Sequence, residues 1–473
     1  MASPNISFDA IPSSIRKPGK YFEFNTRLAV RTLPGNLQKV LFVAQRQPAA
    51  GQAAPAPSDV FSDEQAASLF GRGSIAHLMA RAAIKANPYL QLTIMGIDDA
   101  VAGVAAAGTV TLTGPAAAAG AFSLSIAGTS VDIPVSTADT ATALATKLVN
   151  QIANQPDLPV TATAAAGVVT LTAKNKGEHG NAIKLGATSQ AAGVTGTVTA
   201  MTGGLNDPDL APALASLFAA GHNIIGCPFS TQTALTTLRT HLDAVSGPME
   251  QRGARGVAGF PGTLAAGSTL AAAINAGRIS IGWHRGSVRL PAEISAAYAA
   301  VMASEEDPAR PLNTLPLTGL DVTSLVDRPS RTEQENALYN GLTPFEIGPG
   351  DKVQIVRAIS TYTKDPQGVD DVSLLDVTTI ATLDYVRKAC RERIALRFPR
   401  EKLSEKTPEK VRSELLDVLI KLEELEIVEN VEANKDGLIV ERDSQDNNRL
   451  NAKIPTDVVN GLHVFAGRID LLL

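Results

Sequence analysis

The sequence predicts a mixed α/β protein in which a parallel-sheet domain is interrupted by a β-rich insert and followed by an α+β domain. Three observations support this fold class. Apolar strand-like segments alternate with helical segments in residues 37–97 and 205–306, which is typical of a parallel sheet with crossover helices. Residues 98–204 are rich in Ala, Gly, Thr and Val and carry few charges. Residues 437–473 alternate apolar and polar side chains, as half-buried strands do.

The composition is that of a globular protein and argues against several functions. The 473 residues are enough for about two to four domains. A net charge of −5 is too balanced to indicate nucleic acid as a partner. Cys227 and Cys390 allow one disulfide at most, which favours a reducing compartment. No basic start with an apolar segment opens the chain, and no apolar run reaches about 20 residues, so neither a signal peptide nor a membrane span is expected.

Residues 1–36 predict an N-terminal arm rather than part of a core, because proline and glycine interrupt them repeatedly. Only residues 21–30 have strand-like composition. The α/β domain follows, assembled from residues 37–97 and 205–306. Its predicted strands are 37–44, 90–95, 223–227, 254–260 and 278–283. Its predicted helices begin at Ser62, Ser74, Asp209, Thr231, Leu264 and Pro291.

The insert, residues 98–204, predicts a compact β-rich domain with one helix. The segment Gly108–Thr113 is nearly repeated at Gly167–Thr172 and loosely at 196–200. Further strands are predicted at 121–128 and 131–135, and the helix at 138–154. A disordered low-complexity linker is the alternative interpretation, against which the alternation of Val, Leu and Ile speaks.

Residues 307–460 predict an α+β domain, and residues 461–473 a C-terminal strand arm. The domain has a helix at 332–340, a hairpin across residues 348–351, long helices at 378–398 and 408–426, and strands at 437–443 and 450–455. An apolar strand at the end of a chain needs an edge to pair with, either in its own domain or in a neighbouring subunit.

The sequence contains no persuasive catalytic, cofactor or metal motif. There is no Gly-x-Ser-x-Gly elbow and no Walker loop, and the third glycine of a dinucleotide fingerprint is missing after Gly71-Arg-Gly73. Trp283-His284-Arg285 follows a strand, where α/β sites often lie, but structural roles are favoured for His284 and for Cys227. The other histidines lack metal-ligand spacing: His77, His179, His222, His241 and His463.

Five cations on one predicted helix form a basic cluster: Arg387, Lys388, Arg391, Arg393 and Arg397. The cluster is either a solvated face paired in part with Glu392 and Glu401, or a contact with an acidic protein surface. A phosphate-binding strip is the third interpretation, which the lack of interleaved aromatic residues weakens.

The ordered set of parts resembles contractile phage tail sheath proteins, in particular those of Mu-like myophages. Four stretches carry this resemblance, and together they cover most of the chain outside the insert: the arm leading into Gln38–Val43; Ala337–Pro344 leading into Val353–Tyr362; Asp376–Arg387 with the basic helix; and Leu438–Arg442 with Arg449–Pro455 and the terminal strand.

The resemblance implies a structural protein and not an enzyme. Sheath subunits of this family stack as hexameric rings around a tail tube, exchange strands between subunits, and contract to drive the tube through the host envelope. The expected partners are therefore further copies of the chain, the tail tube protein, and the baseplate and tail terminator proteins. The expected location is the virion, after assembly in the host cytoplasm. The resemblance also implies a subtilisin-like fold without protease activity for the α/β domain, and a surface decoration for the insert.

The resemblance and the strand patterns together predict four sets of functional residues. The N-terminal strand donated to a neighbour contains Tyr21, Phe22, Phe24, Thr26, Leu28 and Val30. The C-terminal donated strand contains Leu462, Val464, Phe465, Ile469, Leu471 and Leu472. The hairpin that accepts a neighbour's strand contains Leu438, Val440, Arg442, Leu450 and Ile454. The basic cluster is predicted to face the tube.

Two other function classes remain open at this point. An α/β hydrolase or oxidoreductase with an unrecognised site predicts a deep pocket with perturbed titratable groups at the ends of the α/β strands. A surface adhesin is suggested by the Thr- and Val-rich insert, and it would need a secretion signal.

Overall fold

The α/β part of the chain begins with residues 39–97. The computed structural model describes residues 14–22, 33–48, 50–51 and 56–472. Both helices of this segment begin at a serine cap, since Ser62 accepts a hydrogen bond from the backbone N–H of Gln65 and Ser74 from that of His77. The elements are β1 (Lys39–Gln45), β2 (Pro57–Val60), α1 (Asp63–Phe70), α2 (Ile75–Ala86) and β3 (Gln91–Ile97).

Two antiparallel sheets and one helix form the insert. Its elements are β4 (Ala107–Leu112), β5 (Gly120–Ile126), β6 (Thr129–Val135), α3 (Ala141–Ala153), β7 (Val160–Ala165), β8 (Val168–Ala173), β9 (Leu185–Ser189) and β10 (Gly196–Thr202). The strand orders are β10-β4-β8-β7 and β6-β5-β9. The helix α3 buries Leu144, Leu148 and Ile152 against this core. The insert is therefore a folded unit and not a disordered linker.

After the insert, strands and helices alternate again. The elements are α4 (Ala211–Ser216), β11 (Ile224–Gly226), α5 (Gln232–Ser246), β12 (Arg255–Phe260), α6 (Leu264–Ile274), β13 (Ile279–Trp283), α7 (Pro291–Met302), α8 (Arg331–Tyr339), β14 (Thr343–Gly348) and β15 (Lys352–Ile355). Every residue of α7 after its initial proline is buried, as expected of a helix that is apolar on all sides.

A mixed eight-stranded sheet joins these two segments in the order β15-β14-β13-β12-β11-β1-β3-β2. The six inner strands pair in parallel, and the edge strands β2 and β15 pair antiparallel. Both faces of the sheet are covered. In β1, Val40 and Phe42 belong to one hydrophobic core, and Leu41 and Val43 belong to the core on the opposite face.

The α/β sheet continues beyond residue 306, where the sequence analysis placed a domain boundary. The hairpin β14–β15 is present as predicted, but β14 pairs in parallel with β13 and so extends the α/β sheet beyond this boundary. The side chains of three elements hold it there, because the Ser280 hydroxyl lies 2.9 Å from the Tyr298 hydroxyl and 3.0 Å from that of Thr343. The long connection between α7 and α8 contains no sequence pattern that predicts the return of the chain to this sheet.

The C-terminal part has its own hydrophobic core. Its elements are α9 (Val377–Arg397), α10 (Thr407–Glu424), β16 (Val428–Glu429), α11 (Val431–Asn434), β17 (Ile439–Arg442), β18 (Leu450–Lys453) and β19 (Asp457–Val458). The predicted hairpin is confirmed, since β17 and β18 pair antiparallel as a two-stranded sheet. Residues 459–472 form no strand within the chain. No helix among the described residues is both long and apolar enough to span a bilayer.

Replacing Tyr298 by phenylalanine tests the buried hydroxyl cluster. We expect Tyr298→Phe to cost about 1 kcal/mol, because Ser280 and Thr343 lose a buried hydrogen-bond partner. The thermal unfolding midpoint should fall by about 2–4 °C, measured by circular dichroism. The matched control is Tyr89→Phe, whose side chain is 95 % exposed and should leave the midpoint unchanged. Equal midpoints for the two variants would show that the cluster does not stabilise the junction between β13 and β14.

Candidate functional site

The helices α9 and α10 pack against each other and support the hairpin β17–β18. The apolar positions of α10 recur at helical spacing: Val411, Leu415, Val418, Leu419 and Leu422. Leu438, immediately before β17, is buried in the same core. The Arg412 guanidinium of α10 contacts the segment that leads into the hairpin. It donates hydrogen bonds to the backbone oxygens of Leu438 at 2.8 Å and Lys435 at 2.7 Å.

The carboxylate of Asp443 organises the turn of the hairpin. It accepts hydrogen bonds from the Asn451 side chain and from the backbone N–H groups of Asp446 and Gln445, each at 2.8–3.0 Å. These bonds, that of Asn451 foremost, lower the pKa of Asp443 to about 2. The carboxylate is therefore charged at any physiological pH, and the hairpin is held in one shape before any partner arrives.

An open apolar groove of about 790 Å³ lies between α9, α10 and the strand β18. Its apolar lining comes from all three elements: Val386, Cys390, Ile394, Phe398, Val411, Leu415, Leu450, Ala452 and Ile454. Because the hairpin is a two-stranded sheet, each of its strands has one edge without a strand partner among the described residues. The groove thus lies beside a strand edge that has no strand partner among the described residues.

The sequence analysis predicted the hairpin residues but missed the α9 side of the groove. Val386, Cys390 and Ile394 follow each other at intervals of four residues, which is the spacing of one helix face. The stripe was not predicted, because cations stand between its apolar positions in the sequence.

The C-terminal tail leaves the body of the protein with its apolar side chains in solvent. The six predicted residues of the C-terminal strand are between 79 % and 98 % exposed. The last side chain held by the body is His463, whose Nδ1 lies 2.9 Å from the Asn313 side-chain nitrogen and whose Nε2 lies 3.5 Å from Asp376. Residues 464–472 follow this anchor.

The N-terminal arm is described only in part. Tyr21 and Phe22 are exposed, and the Tyr21 hydroxyl donates to the Lys17 carbonyl at 3.0 Å. Four of its predicted strand residues lie outside the described residues: Phe24, Thr26, Leu28 and Val30. The base of the arm contacts α9, because the Tyr385 hydroxyl donates to the carbonyl of Pro34 at 2.8 Å and Leu33 packs against the C-terminal core.

The structure divides the basic cluster between two faces of α9. Arg393 is buried and donates to Glu414 at 3.1 Å and Asp417 at 2.6 Å on α10, and Arg397 lies 3.5 Å from Glu414. The other three face the α/β sheet domain. Arg387 donates to Ser246 and to Asp384 of the same helix, Lys388 donates to Gly35, and Arg391 donates to Gln251. The five cations therefore do not form one solvated face, and their contact with a tube stays a prediction.

The residues considered for catalysis have structural partners. Trp283 is buried and donates its indole N–H to the Gly262 carbonyl, and His284 Nε2 lies 2.8 Å from the Asp321 carbonyl. Burial raises the pKa of the Cys227 thiol to about 12 and that of Cys390 to about 11, so neither is a thiolate near neutral pH.

One cluster with metal-ligating residue types was not predicted. Ligand atoms of Asp63, His77 and Asp157 lie within 4.8 Å of one another. However, His77 Nδ1 accepts the backbone N–H of Gly73 at 2.9 Å, which places the proton of the neutral ring on Nε2, facing Asp63 at 2.9 Å. Asp157 in turn pairs with Arg72 at 2.8 Å. We interpret the cluster as a polar contact that fixes the insert to the α/β sheet domain.

Comparison with known proteins links most of the chain to one family. A sequence model described as the phage tail sheath protein central domain matches residues 203–361, and one described as the phage tail sheath C-terminal domain matches residues 369–471. The chain is 36 % identical to the Mu-like prophage FluMu tail sheath protein of Haemophilus influenzae, over 99 % of this chain and 100 % of that protein.

Solved structures share the fold at low sequence identity. The crystal structure of the sheath tail protein from Desulfitobacterium hafniense has a TM-score of 0.52 at 14 % identity, covering 94 % of this chain and 97 % of its own. The PVC sheath complex of an extracellular contractile injection system, solved in the contracted state, has a TM-score of 0.50 at 11 % identity, covering 97 % of this chain and 98 % of its own.

Replacing Arg393 by methionine tests the contact between α9 and α10. Burial raises the pKa of Asp417, but hydrogen bonds from Lys421 and Arg393 outweigh this effect and hold its pKa below the usual 3.8. The stabilisation is therefore present above the unfolded-state pKa and lost as the pH falls through the lower folded-state value. We expect Arg393→Met to cost about 2 kcal/mol at pH 7, since two partly exposed carboxylates lose a shared partner.

The measurement is the thermal unfolding midpoint of variant and wild type from pH 7 down to about pH 3. The difference between them should shrink as Asp417 becomes protonated. Arg391→Met, on the same helix but with only Gln251 as acceptor among the described residues, is the control and should cost less at every pH. A difference that stays constant across this range would disprove the charge-based explanation.

Proposed function

Because the chain belongs to the phage tail sheath protein family, we propose that it is the structural subunit of a contractile phage tail sheath. Copies of the chain polymerise around a tail tube as stacked hexameric rings, linked by exchanged strands. The sheath then contracts and drives the tube through the host envelope. The full-length identity to a Mu-like tail sheath protein supports this function, and so does the fold shared with a contracted sheath complex.

One observation about the chain itself carries the mechanism. The same molecule has an exposed apolar tail, residues 464–472, and an apolar groove beside a free strand edge, and the tail does not occupy the groove. An exposed tail of this composition is costly in water, and the groove is the complementary surface. When the tail of one copy enters the groove of the next, the apolar surfaces of both are removed from water.

The geometry of the tail favours a neighbouring copy as the acceptor. Beyond the anchor at His463, residues 464–472 reach about 30 Å when extended, which is enough to cross to an adjacent subunit. As a strand, the tail would place Phe465, Ile469 and Leu471 on one side and Arg468 and Asp470 on the other. The apolar side would face the groove, while the backbone would pair with an edge of the hairpin. This is β-augmentation, in which backbone hydrogen bonds supply much of the affinity.

Donated strands also suit a sheath that changes shape. Backbone pairing tolerates reorientation of the bodies on either side of the strand, so linked subunits can rotate without separating. Contraction then requires only that the contracted state have the lower free energy, for instance by burying more surface between subunits. The N-terminal arm, including Tyr21, Phe22, Phe24, Thr26, Leu28 and Val30, is proposed to make the second such link.

The remaining roles follow from the family. The proposal includes a division of the chain into five parts: an arm (1–36), an α/β sheath domain (37–97 with 205–306, extended here through β15), an insert (98–204), a C-terminal domain (307–460) and a terminal arm (461–473). It also includes a subtilisin-like fold for the α/β domain. The proposed partners are the tail tube, baseplate and tail terminator proteins, in a virion assembled in the host cytoplasm. The part played by the basic cluster at the tube is proposed for Arg387, Lys388 and Arg391 only, because Arg393 and Arg397 are occupied on α10.

A non-enzymatic role is part of the same proposal, and no observation favours the two rivals. The thiols are buried with raised pKa values, and the histidine of the Trp283–Arg285 segment bonds to a backbone carbonyl. An adhesin function of the insert has no binding site to support it among the described residues.

Polar substitutions on the two sides of the tail test strand donation. We expect Phe465→Ser with Ile469→Ser to abolish sheath-like polymers, because the strand loses the apolar side chains that fill the groove. The control, Arg468→Ser with Asp470→Ser, changes the same number of residues on the other side of the strand and should polymerise normally. Assembly is scored by negative-stain electron microscopy with co-expressed tube protein, and folding by the thermal unfolding midpoint.

All six side chains of the C-terminal strand are exposed in the single chain, so neither variant should lower this midpoint. Normal polymers from the Phe465/Ile469 variant would refute donation of the tail to the groove. A failure of both variants would mean that assembly depends on the tail in some other way than through its apolar side.

A further inference from the structure

A second cavity, of about 390 Å³, lies where four segments of the chain meet. The segments are the base of the N-terminal arm, the residues before β11, the residues before β12, and the sheet-facing side of α9. We name it the cationic cleft, because five basic side chains line it: Lys39, Arg252, Arg255, Lys388 and Arg391. Asp384 is the one carboxylate among its lining residues in the described part of the chain.

The single carboxylate of the cleft is already compensated. Arg278 makes a bidentate contact with Asp384 at 2.7 and 3.0 Å, and Arg387 donates to the same group at 2.8 Å. Two guanidinium groups around one carboxylate leave a net positive charge there. Asp384 therefore does not neutralise the cations that line the cleft.

Three of the five cations are held by neutral acceptors. Arg255 donates to the Gln38 side-chain oxygen at 3.1 Å, Lys388 to the Gly35 carbonyl at 2.6 Å, and Arg391 to the Gln251 carbonyl at 3.2 Å. Within the described residues none of these three, nor Lys39, has a carboxylate at ion-pair distance. Only Arg252 has one, Glu250 at 2.6 Å. Arg255, Lys388 and Arg391 are thus held in position while their charge stays available to a ligand.

The position of Arg255 adds an energetic reason for a ligand. Its side chain is half-buried at the start of β12, and burial lowers its pKa despite the more distant charge of Asp384. A half-buried guanidinium without a direct anionic partner is unfavourable, and an anion in the cleft would relieve this cost. Guanidinium groups also match the geometry of tetrahedral oxyanions, to which they donate in pairs.

We propose that the cationic cleft binds a small oxyanion of the phosphate class. The concave shape and the volume suit one such group with its water molecules better than an extended acidic peptide. The bound anion would connect α9 with the amino ends of β1 and β12 and with the base of the N-terminal arm. It would therefore stiffen the joint between the two domains from which the sheath body is built.

Calorimetric titration of the full chain with inorganic phosphate tests the site, with chloride buffer of equal ionic strength as the blank. We expect saturable binding to one site per chain, and a higher thermal unfolding midpoint in phosphate than in the blank. The double variant Lys388→Gln with Arg391→Gln should weaken this binding by at least about tenfold, since two charged donors are lost. Arg255→Gln should weaken it by a similar factor.

The matched control is Arg310→Gln with Arg468→Gln, which removes the same charge from exposed positions away from the cleft. This control should bind phosphate as the wild type does. Equal weakening by the control would overturn the site in favour of unspecific attraction, and so would the absence of saturable binding to the wild type. Binding of a short poly-glutamate peptide without binding of phosphate would overturn it in favour of a protein contact. Polymer formation is scored separately by microscopy, so a chain that assembles but does not bind phosphate refutes this inference alone.

Discussion

An apolar C-terminal tail that has no partner among the described residues of its own chain is the constraint on which the rest of this structure depends. Residues 464–472 expose leucine, valine, isoleucine and phenylalanine side chains to solvent, although the same molecule carries an apolar groove beside a free strand edge. Unpaired edges and exposed apolar segments are hazards that proteins normally cover. In the proposed assembly the tail of one copy enters the groove of the next, so that apolar surface exposed in the single chain becomes buried in the polymer. The full-length relationship to a tail sheath protein fits this property.

The proposed strand exchange would transmit force only if the bodies between the strands are rigid, and several contacts in the structure favour such rigidity. The eight-stranded sheet has a core on each face, and α7 is buried along almost its whole length. Arg278 and Asp384 fix α9 to the start of β13 through a bidentate contact. The insert is held by polar contacts as well, with Asp99 accepting from Gln45 at 2.7 Å and from Asn175 at 3.0 Å.

Most of the local structure could be predicted from the sequence, and the failures have physical reasons. Helices with a polar cap and an apolar stripe begin where expected, as at Ser62, Ser74 and Thr231, because capping depends on neighbouring residues alone. The strands β7 and β9 were missed because alanine and glycine give little alternation. The place of β14 in the large sheet was also missed, since pairing with β13 across a long connection depends on tertiary contacts such as Tyr298 with Ser280 and Thr343. The groove could not be predicted for the same reason. Three separate elements form it, and the sequence of no single element indicates it.

The basic cluster shows how helical geometry changes the meaning of a charge pattern. In sequence the five cations from Arg387 to Arg397 look like one patch. On an α-helix, Arg387 and Arg391 are four residues apart and share a face, while Arg393 lies about 120° from Arg387 around the helix axis and shares its face with Arg397, four residues further on. The second pair meets acidic residues of α10 and becomes part of the core. The first pair, with Lys388, meets segments of the sheet domain that contribute Lys39, Arg252 and Arg255 but little negative charge. One stretch of similar residues therefore stabilises the core on one side and, on the other, adds to a cleft in which cations outnumber carboxylates. This excess of positive charge is the electrostatic basis of the proposed oxyanion site.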